Sequence, residues 1–342
     1  MKHILIVSSL CLLFVGCHTA TKTEQVPNII FETDMGNDVD DALALDMIYK
    51  YLDEGKINLL AVCSNKDSKY STEYIHLTNH WYGYPNIPIG KVVNGIDCEN
   101  DAKNYVKKVC LLKNENGDAL FARPAFDYDA VSEAVSLYRK ILSEQPDGSV
   151  TIVSVGFSTN IVRLLQSPPD QYSPLSGKEL IAQKVKLLST MAGSFAEKPI
   201  VEYNVLKDIA AAQTIAAEWT SPVVYSPFEV GAAILYPATV IENDFAWTKF
   251  HPVVEAYKSY LQMPYDRPTW DLTSLLYVVE NYPEYFTISP NGTVAVDDKG
   301  YTTFTADKNG THTYLQLKGD QPKKNLKRFI ELTTRQPKTI NN

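Results

Sequence analysis

Five carboxylates crowd into ten residues near the start of the chain, in the segment Glu32-Thr33-Asp34-Met35-Gly36-Asn37-Asp38-Val39-Asp40-Asp41. At that density they repel one another unless a cation offsets them. Hard divalent cations take oxygen ligands, and calcium accepts roughly six to eight in irregular geometry. Gly36 allows a backbone turn that other residues resist. A plainer use for an acid here is a helix cap, with Asp38 or Asp40 bonding the first N–H groups and sitting at the positive end. Capping accounts for one or two aspartates. It leaves Asp34, Asp38, Asp40 and Asp41 together unexplained. The segment therefore reads as a divalent-cation site, calcium by preference.

Two other arrangements of acids fit less well. An EF-hand loop needs a glutamate at its twelfth position, and counting from Glu32 that position is Leu43. A haloacid-dehalogenase-type phosphatase uses the first of two aspartates, one residue apart, as nucleophile, and here Glu32 stands in that place.

The elements around the acids alternate. Asn28 to Phe31 is a short apolar run ahead of the acidic loop. From Asp40 onward Leu43, Met47, Ile48, Tyr51 and Leu52 recur at helical spacing. Ile57 to Cys63 reads as a buried strand, 72–82 as a helix, 87–92 as a strand and 128–143 as a helix. Ser149 to Val155 is rich in β-branched residues. The stretches 159–165, 185–191, 209–219 and 222–225 continue as helix, strand, helix and strand. This order predicts an α/β fold, a mostly parallel sheet flanked by helices. Ligands in such folds bind at the carboxyl ends of the strands. The acidic loop, Asn65, Val155-Gly156 and Ala192-Gly193 all fall at such ends. Residues 286–317 carry the hairpin signals Pro290-Asn291-Gly292, Asp298-Lys299-Gly300 and Lys308-Asn309-Gly310. They read as a small C-terminal antiparallel appendage on one main domain, 27–335, closed by a helix over 324–332.

Composition narrows the function. The 342 residues carry a net charge of -8, with no clustered Lys/Arg stripe, which argues against a nucleic-acid partner. Met1-Lys2-His3 and the apolar run Ile4 to Val15 are too short to span a membrane and read as a signal peptide. The ending Leu12-Leu13-Phe14-Val15-Gly16-Cys17 resembles a bacterial lipobox. Cys17 would be acylated, 18–26 would form a tether, and the chain would be exported and lipid-anchored in the cell envelope, in the periplasm or at the outer membrane. Cys63 lies in an apolar run and reads as a core residue; a pairing of Cys98 with Cys110 is left open. No Cys/His cluster suggests zinc.

Taken together, four segments in order resemble the inosine-uridine preferring nucleoside hydrolases. Residues 31–45, FETDMGNDVDDALAL, are similar to the family's N-terminal Asp-x-Asp-x-Gly followed by Asp-Asp-Ala. Ser154-Val155-Gly156-Phe157-Ser158-Thr159-Asn160 resembles its strand-end Gly with Thr-Asn. Met191-Ala192-Gly193 with Val201-Glu202-Tyr203-Asn204, then Trp270-Asp271-Leu272, occupy its later motifs. The resemblance spans about 28–317. It implies N-ribosyl hydrolysis with a bound calcium ion, held by Asp34, Asp41, the Val155 carbonyl and Asp271, with Asp38 a further candidate. It implies Asp34 as general base, and Asp40, Asn65, Glu202 and Asn204 as residues gripping the ribose hydroxyls. Trp270 stands where some relatives have a histidine, which points to purine nucleosides whose base stacks on the indole. Calcium is then the cofactor, a nucleoside the small-molecule partner, the lipid anchor the membrane contact, and a homo-oligomer is left open.

Each residue also has a plainer reading. Asp271 could cap a helix, Asn65 and Asn204 could be turn residues, and Asn160 reads as a cap after Gly156. Tyr257, Tyr260 and Tyr265 form either an aromatic flap or core. Glu32 replaces the family's first aspartate, Ala192 a glycine and Ala196 an asparagine, and three residues separate Gly36 from Asp40 where shorter relatives have one. A binding lipoprotein without turnover, or a metal-dependent hydrolase of another ribosyl or phosphoester substrate, remains the alternative.

Overall fold

The computed structural model describes residues 26–96, 104–280 and 282–338. The expected signal peptide, Cys17, nearly all of the tether and Cys98 lie outside these residues. Among the described residues no helix is long and apolar enough to cross a membrane.

Seven strands run parallel: β1 (Asn28–Thr33), β2 (Asn58–Lys66), β3 (Ile89–Ile96), β4 (Ser132–Glu133), β5 (Val150–Ser154), β6 (Val185–Met191) and β7 (Val223–Ser226). Their spatial order is β7-β6-β5-β1-β2-β3-β4. A strand covered by helices on both sides must be apolar on both faces, and β1 is. Phe31 joins Val62 and Val153 in one buried layer, while Ile30 joins Ala61, Ile152 and Leu188 in the other. The chain lays β2, β3 and β4 on one side of β1, then returns to lay β5, β6 and β7 on the other. That reversal opens a crevice at the carboxyl end of β1. The acidic loop leaves β1 at this point, so the crevice and the carboxylates coincide.

The helix Asp40–Glu54 begins immediately after the loop and ends on Gly55, whose left-handed φ of 67° lets its N–H return to Leu52 O. It packs against the helix Trp270–Val279, which brings two helix N-termini to the crevice. A short antiparallel pair, β8 (Leu235–Tyr236) with β9 (Arg267–Pro268), sets the entry to that second helix.

The C-terminal segment forms β10 (Thr287–Ile288), β11 (Gly292–Val296), β12 (Thr302–Ala306) and β13 (His312–Gln316). β11 pairs antiparallel with β12 and β10 with β13, as the turn signals predict. β13 also lies parallel to β7, so the segment continues the main sheet. Two local expectations change. The helix expected from Tyr128 starts at Ala134, because Asp127 Oδ1 accepts the N–H groups of Asp129 and Ala130 and holds a turn there. The polar stretch before Asn116 contains a helix, Tyr105–Cys110, capped by the Asn104 side chain.

Candidate active site

The crevice holds a cavity of about 420 Å³, a size suited to a small organic ligand. Its acidic lining comprises Asp34, Asp38, Asp40, Asp41, Glu202 and Asp271. Val155, Met191 and Asn204 form a second part, joined by hydrogen bonds from Asn204 Nδ2 to both backbone carbonyls at 3.1 Å. Phe228, Tyr260, Arg267 and Trp270 form a third, aromatic part. Ile200, Tyr203 and Leu206 line the cavity and remain partly exposed.

The aspartates do not cap their own helix, whose N-cap position, Val39, has no side-chain bond. Asp38 forms a two-pronged ion pair with Arg267, Nε to Oδ1 at 2.8 Å and Nη2 to Oδ2. Asp40 Oδ2 accepts the backbone N–H of Asp271 at 3.1 Å, and its Oδ1 is buried without a partner. Asp41 accepts from the Thr33 hydroxyl. Asp34 accepts from Asn37 Nδ2 at 2.6 Å, and Lys66 Nζ in turn holds Asn37 Oδ1 at 3.0 Å. Asp271 lies in the first turn of its helix, two residues past the N-cap position, Thr269.

Burial sets the electrostatics. It pushes Asp34 up to about 6, against the pull of Asn37 and Lys66. Asp40, Asp41 and Asp271 rise well above the usual carboxylate range, first through burial and then through repulsion from one another and from Asp34 and Asp38. A cation bound among these groups would favour their charged forms and act against that rise.

A second carboxylate network lies behind the cavity, holds Asn65 and corrects the reading of Asn160. Asn65 does not line the cavity. Its Nδ2 donates to Glu32 Oε2 at 2.9 Å and its Oδ1 accepts the Phe157 N–H at 3.1 Å, so both ends of the amide are used. Asn160 is no cap; it lies inside the helix Thr159–Leu165 and donates to Glu32 and to Ser64 O. With the Tyr138 hydroxyl at 2.6 Å, Glu32 collects three donors in a fully buried place, and burial still raises it to about 7. Gly156 is needed where this network meets the cavity. A Cβ there would come within 2.6 Å of Asp34 N and 2.5 Å of Asn65 Oδ1.

Glu202 also lines the cavity, yet its oxygens accept three backbone N–H groups, from Asn204 at 2.8 Å and from Gly193 and Val205 at 3.2 Å. It caps the helix Tyr203–Lys207 and is pushed by burial to about 7. Asn204 Oδ1 has no donor among the described residues. Trp270 donates its indole N–H to Phe228 O at 2.9 Å and packs tightly on Gly231. Of the three tyrosines, Tyr257 is core, Tyr265 stacks on it, and Tyr260 reaches the cavity.

The sequence matches the family described as inosine-uridine preferring nucleoside hydrolase over residues 29–333. The chain belongs to that family. It is a hydrolase of N-ribosyl bonds. No curated protein is similar enough in sequence to match it. Among solved structures, a purine-preferring ribonucleoside hydrolase from Gardnerella vaginalis superposes with a TM-score of 0.68 at 16% identity, covering 90% of this chain and 98% of its own. A plant nucleoside hydrolase gives 0.66 at 18%, covering 91% and 98%. An inosine-uridine preferring nucleoside hydrolase from Bacillus anthracis gives 0.63 at 16%, covering 90% and 99%. At these identities the likeness concerns the fold.

Two observations on this hydrolase fit a hard cation: an all-oxygen donor set and mutual repulsion among buried carboxyls. Among the described residues no three acidic, His or Cys side chains stand as a ready metal cage; Asp34, Asp38 and Asp41 each turn to a neighbouring donor instead. The Val155 carbonyl, bonded once by Asn204, keeps a second lone pair. Sequence reasoning missed Asn37, Lys66, Tyr138 and Arg267. The Asp38–Arg267 pairing spans 229 residues, and no local spacing reports it.

The position of Asn65 makes a prediction. Asn65→Ala strands the Phe157 N–H and removes a donor from buried Glu32, a stability cost of about 2–4 kcal/mol. Urea denaturation should show that loss. An unchanged midpoint with a raised KM would restore Asn65 as a sugar contact.

Proposed function

We propose that this hydrolase uses one calcium ion to cleave purine ribonucleosides into free base and ribose. The observation that carries the reading is the cavity itself, where buried carboxylates with an orphaned oxygen adjoin an aromatic wall. Asp34, Asp41, Asp271 and the Val155 carbonyl would hold the ion, with Asp38 withdrawn from it by Arg267. When bound, calcium supplies a fixed positive charge that grips the sugar diol and lowers the pKa of an adjacent water.

The chain's own groups do the rest. Asp34 takes the proton of the attacking water as its oxygen bonds C1′ and the C1′–N bond breaks towards the base. The free Asp40 Oδ1 accepts a ribose hydroxyl. Asn204 Oδ1 and the Glu202 carboxyl face further sugar hydroxyls, with Glu202 anchored by the N–H groups it caps. Holding the ring along this edge favours the flattened, oxocarbenium-like transition state over the substrate. The base enters the part walled by Trp270, Phe228 and Tyr260, and that aromatic wall supports a purine. Through Cys17 the enzyme would act from a lipid anchor in the cell envelope.

Ribose release from inosine, adenosine, guanosine and uridine, with and without chelator, tests the reading. The purine nucleosides should be cleaved fastest, chelator should stop turnover, and calcium should restore it. No ribose from any nucleoside by the calcium-loaded chain would leave the binding-protein alternative; release of phosphate from an ester would favour the other. Asp34→Asn should lower kcat by at least about 100-fold while the protein stays folded. Palmitate labelling in the native host should be lost in Cys17→Ser; labelling that persists would refute the anchor.

A further inference from the structure

We propose that Arg267 is a catalytic residue that receives the departing base, stabilising the negative charge left on its ring when the C1′–N bond breaks. The inference rests on the nucleoside reading above and assigns it a leaving-group partner.

Hydrolysis leaves an electron pair on a nitrogen of the base, and something must stabilise it. Among the cavity's lining residues there is no histidine, and Arg267 is the one basic side chain. The indole N–H of Trp270 is committed to Phe228 O. The Tyr260 hydroxyl accepts from Arg267 Nη2 at 3.1 Å, which ties the two side chains together. The guanidinium carbon lies 5.3 Å from the ring centres of both Tyr260 and Trp270, within the aromatic wall.

Arg267 is also held in place. Register with Tyr236 in the β8–β9 pair fixes its backbone, and Asp38 grips Nε and Nη2 in the fork geometry that fixes a guanidinium plane. That leaves Nη1, which donates to no acceptor among the described residues. Its two N–H groups are therefore preorganised donors on a permanently charged group. Such donors are worth most where charge develops in a dry site. Asp38, on the three-residue stretch between Gly36 and Asp40, thereby gains a role: it aims Arg267.

The atoms balance without an added reactant. The water oxygen bonds C1′, its proton passes to Asp34, and the C1′–N pair moves onto the base. The base departs as an anion bonded to Nη1 and is protonated by solvent. Arginine keeps its own proton throughout.

The test compares purine nucleosides with 4-nitrophenyl β-D-ribofuranoside, whose nitrophenolate leaves without help. Native enzyme, Arg267→Gln, Arg267→Lys and Asp38→Asn are assayed on both, calcium-loaded and checked as folded by thermal unfolding. Arg267→Gln should lower kcat on nucleosides roughly 100-fold and on the nitrophenyl riboside at least tenfold less, with Arg267→Lys recovering part of the difference. Asp38→Asn should reproduce the same selectivity in weaker form. Equal losses on both substrates would mark Arg267 as a mere strut for the acidic loop and overturn the proposal, as would unchanged nucleoside turnover. Native enzyme that cleaves only the nitrophenyl riboside would also overturn it while leaving the sugar site intact. Native enzyme that cleaves neither would refute the hydrolytic reading together with it.

Discussion

The structure depends on a cost: several carboxylates are buried around one cavity with too little positive charge to balance them. An unpaired ion taken out of water costs several kcal/mol even after the protein relaxes. Arg267 answers Asp38, and Lys66 reaches Asp34 only through Asn37. Asp40, Asp41 and Asp271 have no cation of their own within hydrogen-bonding reach, and the chain meets the deficit with protons or with a bound ion. The fold enforces the crowding. The reversal of strand order at β1 sends the acidic loop into the crevice, and the packing of the helices Asp40–Glu54 and Trp270–Val279 adds Asp271 from across the chain. Two helix N-termini pointing there soften the repulsion without cancelling it.

Behind this unsatisfied layer is a satisfied one. Glu32 takes donors from Tyr138, Asn65 and Asn160, and Asn65 passes the restraint to the Phe157 N–H, next to the loop that presents the Val155 carbonyl. Glu202 belongs to both layers: it lines the cavity and also ties Gly193 to the helix Tyr203–Lys207. The two layers are complementary. Groups with every bond made hold the backbone still, so that groups with bonds missing keep their positions until a ligand arrives.

Much of this was legible in the sequence because it is local. The alternation of apolar runs and helical spacing gives the parallel sheet, and the density of acids gives the site. Side-chain direction was harder to read. β2 is buried on both faces, so its pattern carries no parity signal. The structure puts Asn65 on the face of Ala61 and Cys63, towards Glu32, and Lys66 on the opposite face, towards Asn37. A one-residue difference in a strand exchanges those roles. Asn160 was misread as a cap for a related reason, since its partner Glu32 is 128 residues away. Arg267 was invisible because its meaning comes from Asp38, 229 residues away in the sequence.

The central claim is that the acidic cluster is built for one hard cation. Equilibrium dialysis of the metal-stripped chain against calcium, repeated with Asp41→Asn, tests it most directly. The account predicts one calcium per chain, bound in preference to magnesium, released protons as the carboxyls ionise, and at least a tenfold loss of affinity in the variant. A chain that binds no calcium, or binds it equally well without the Asp41 carboxylate, would contradict it.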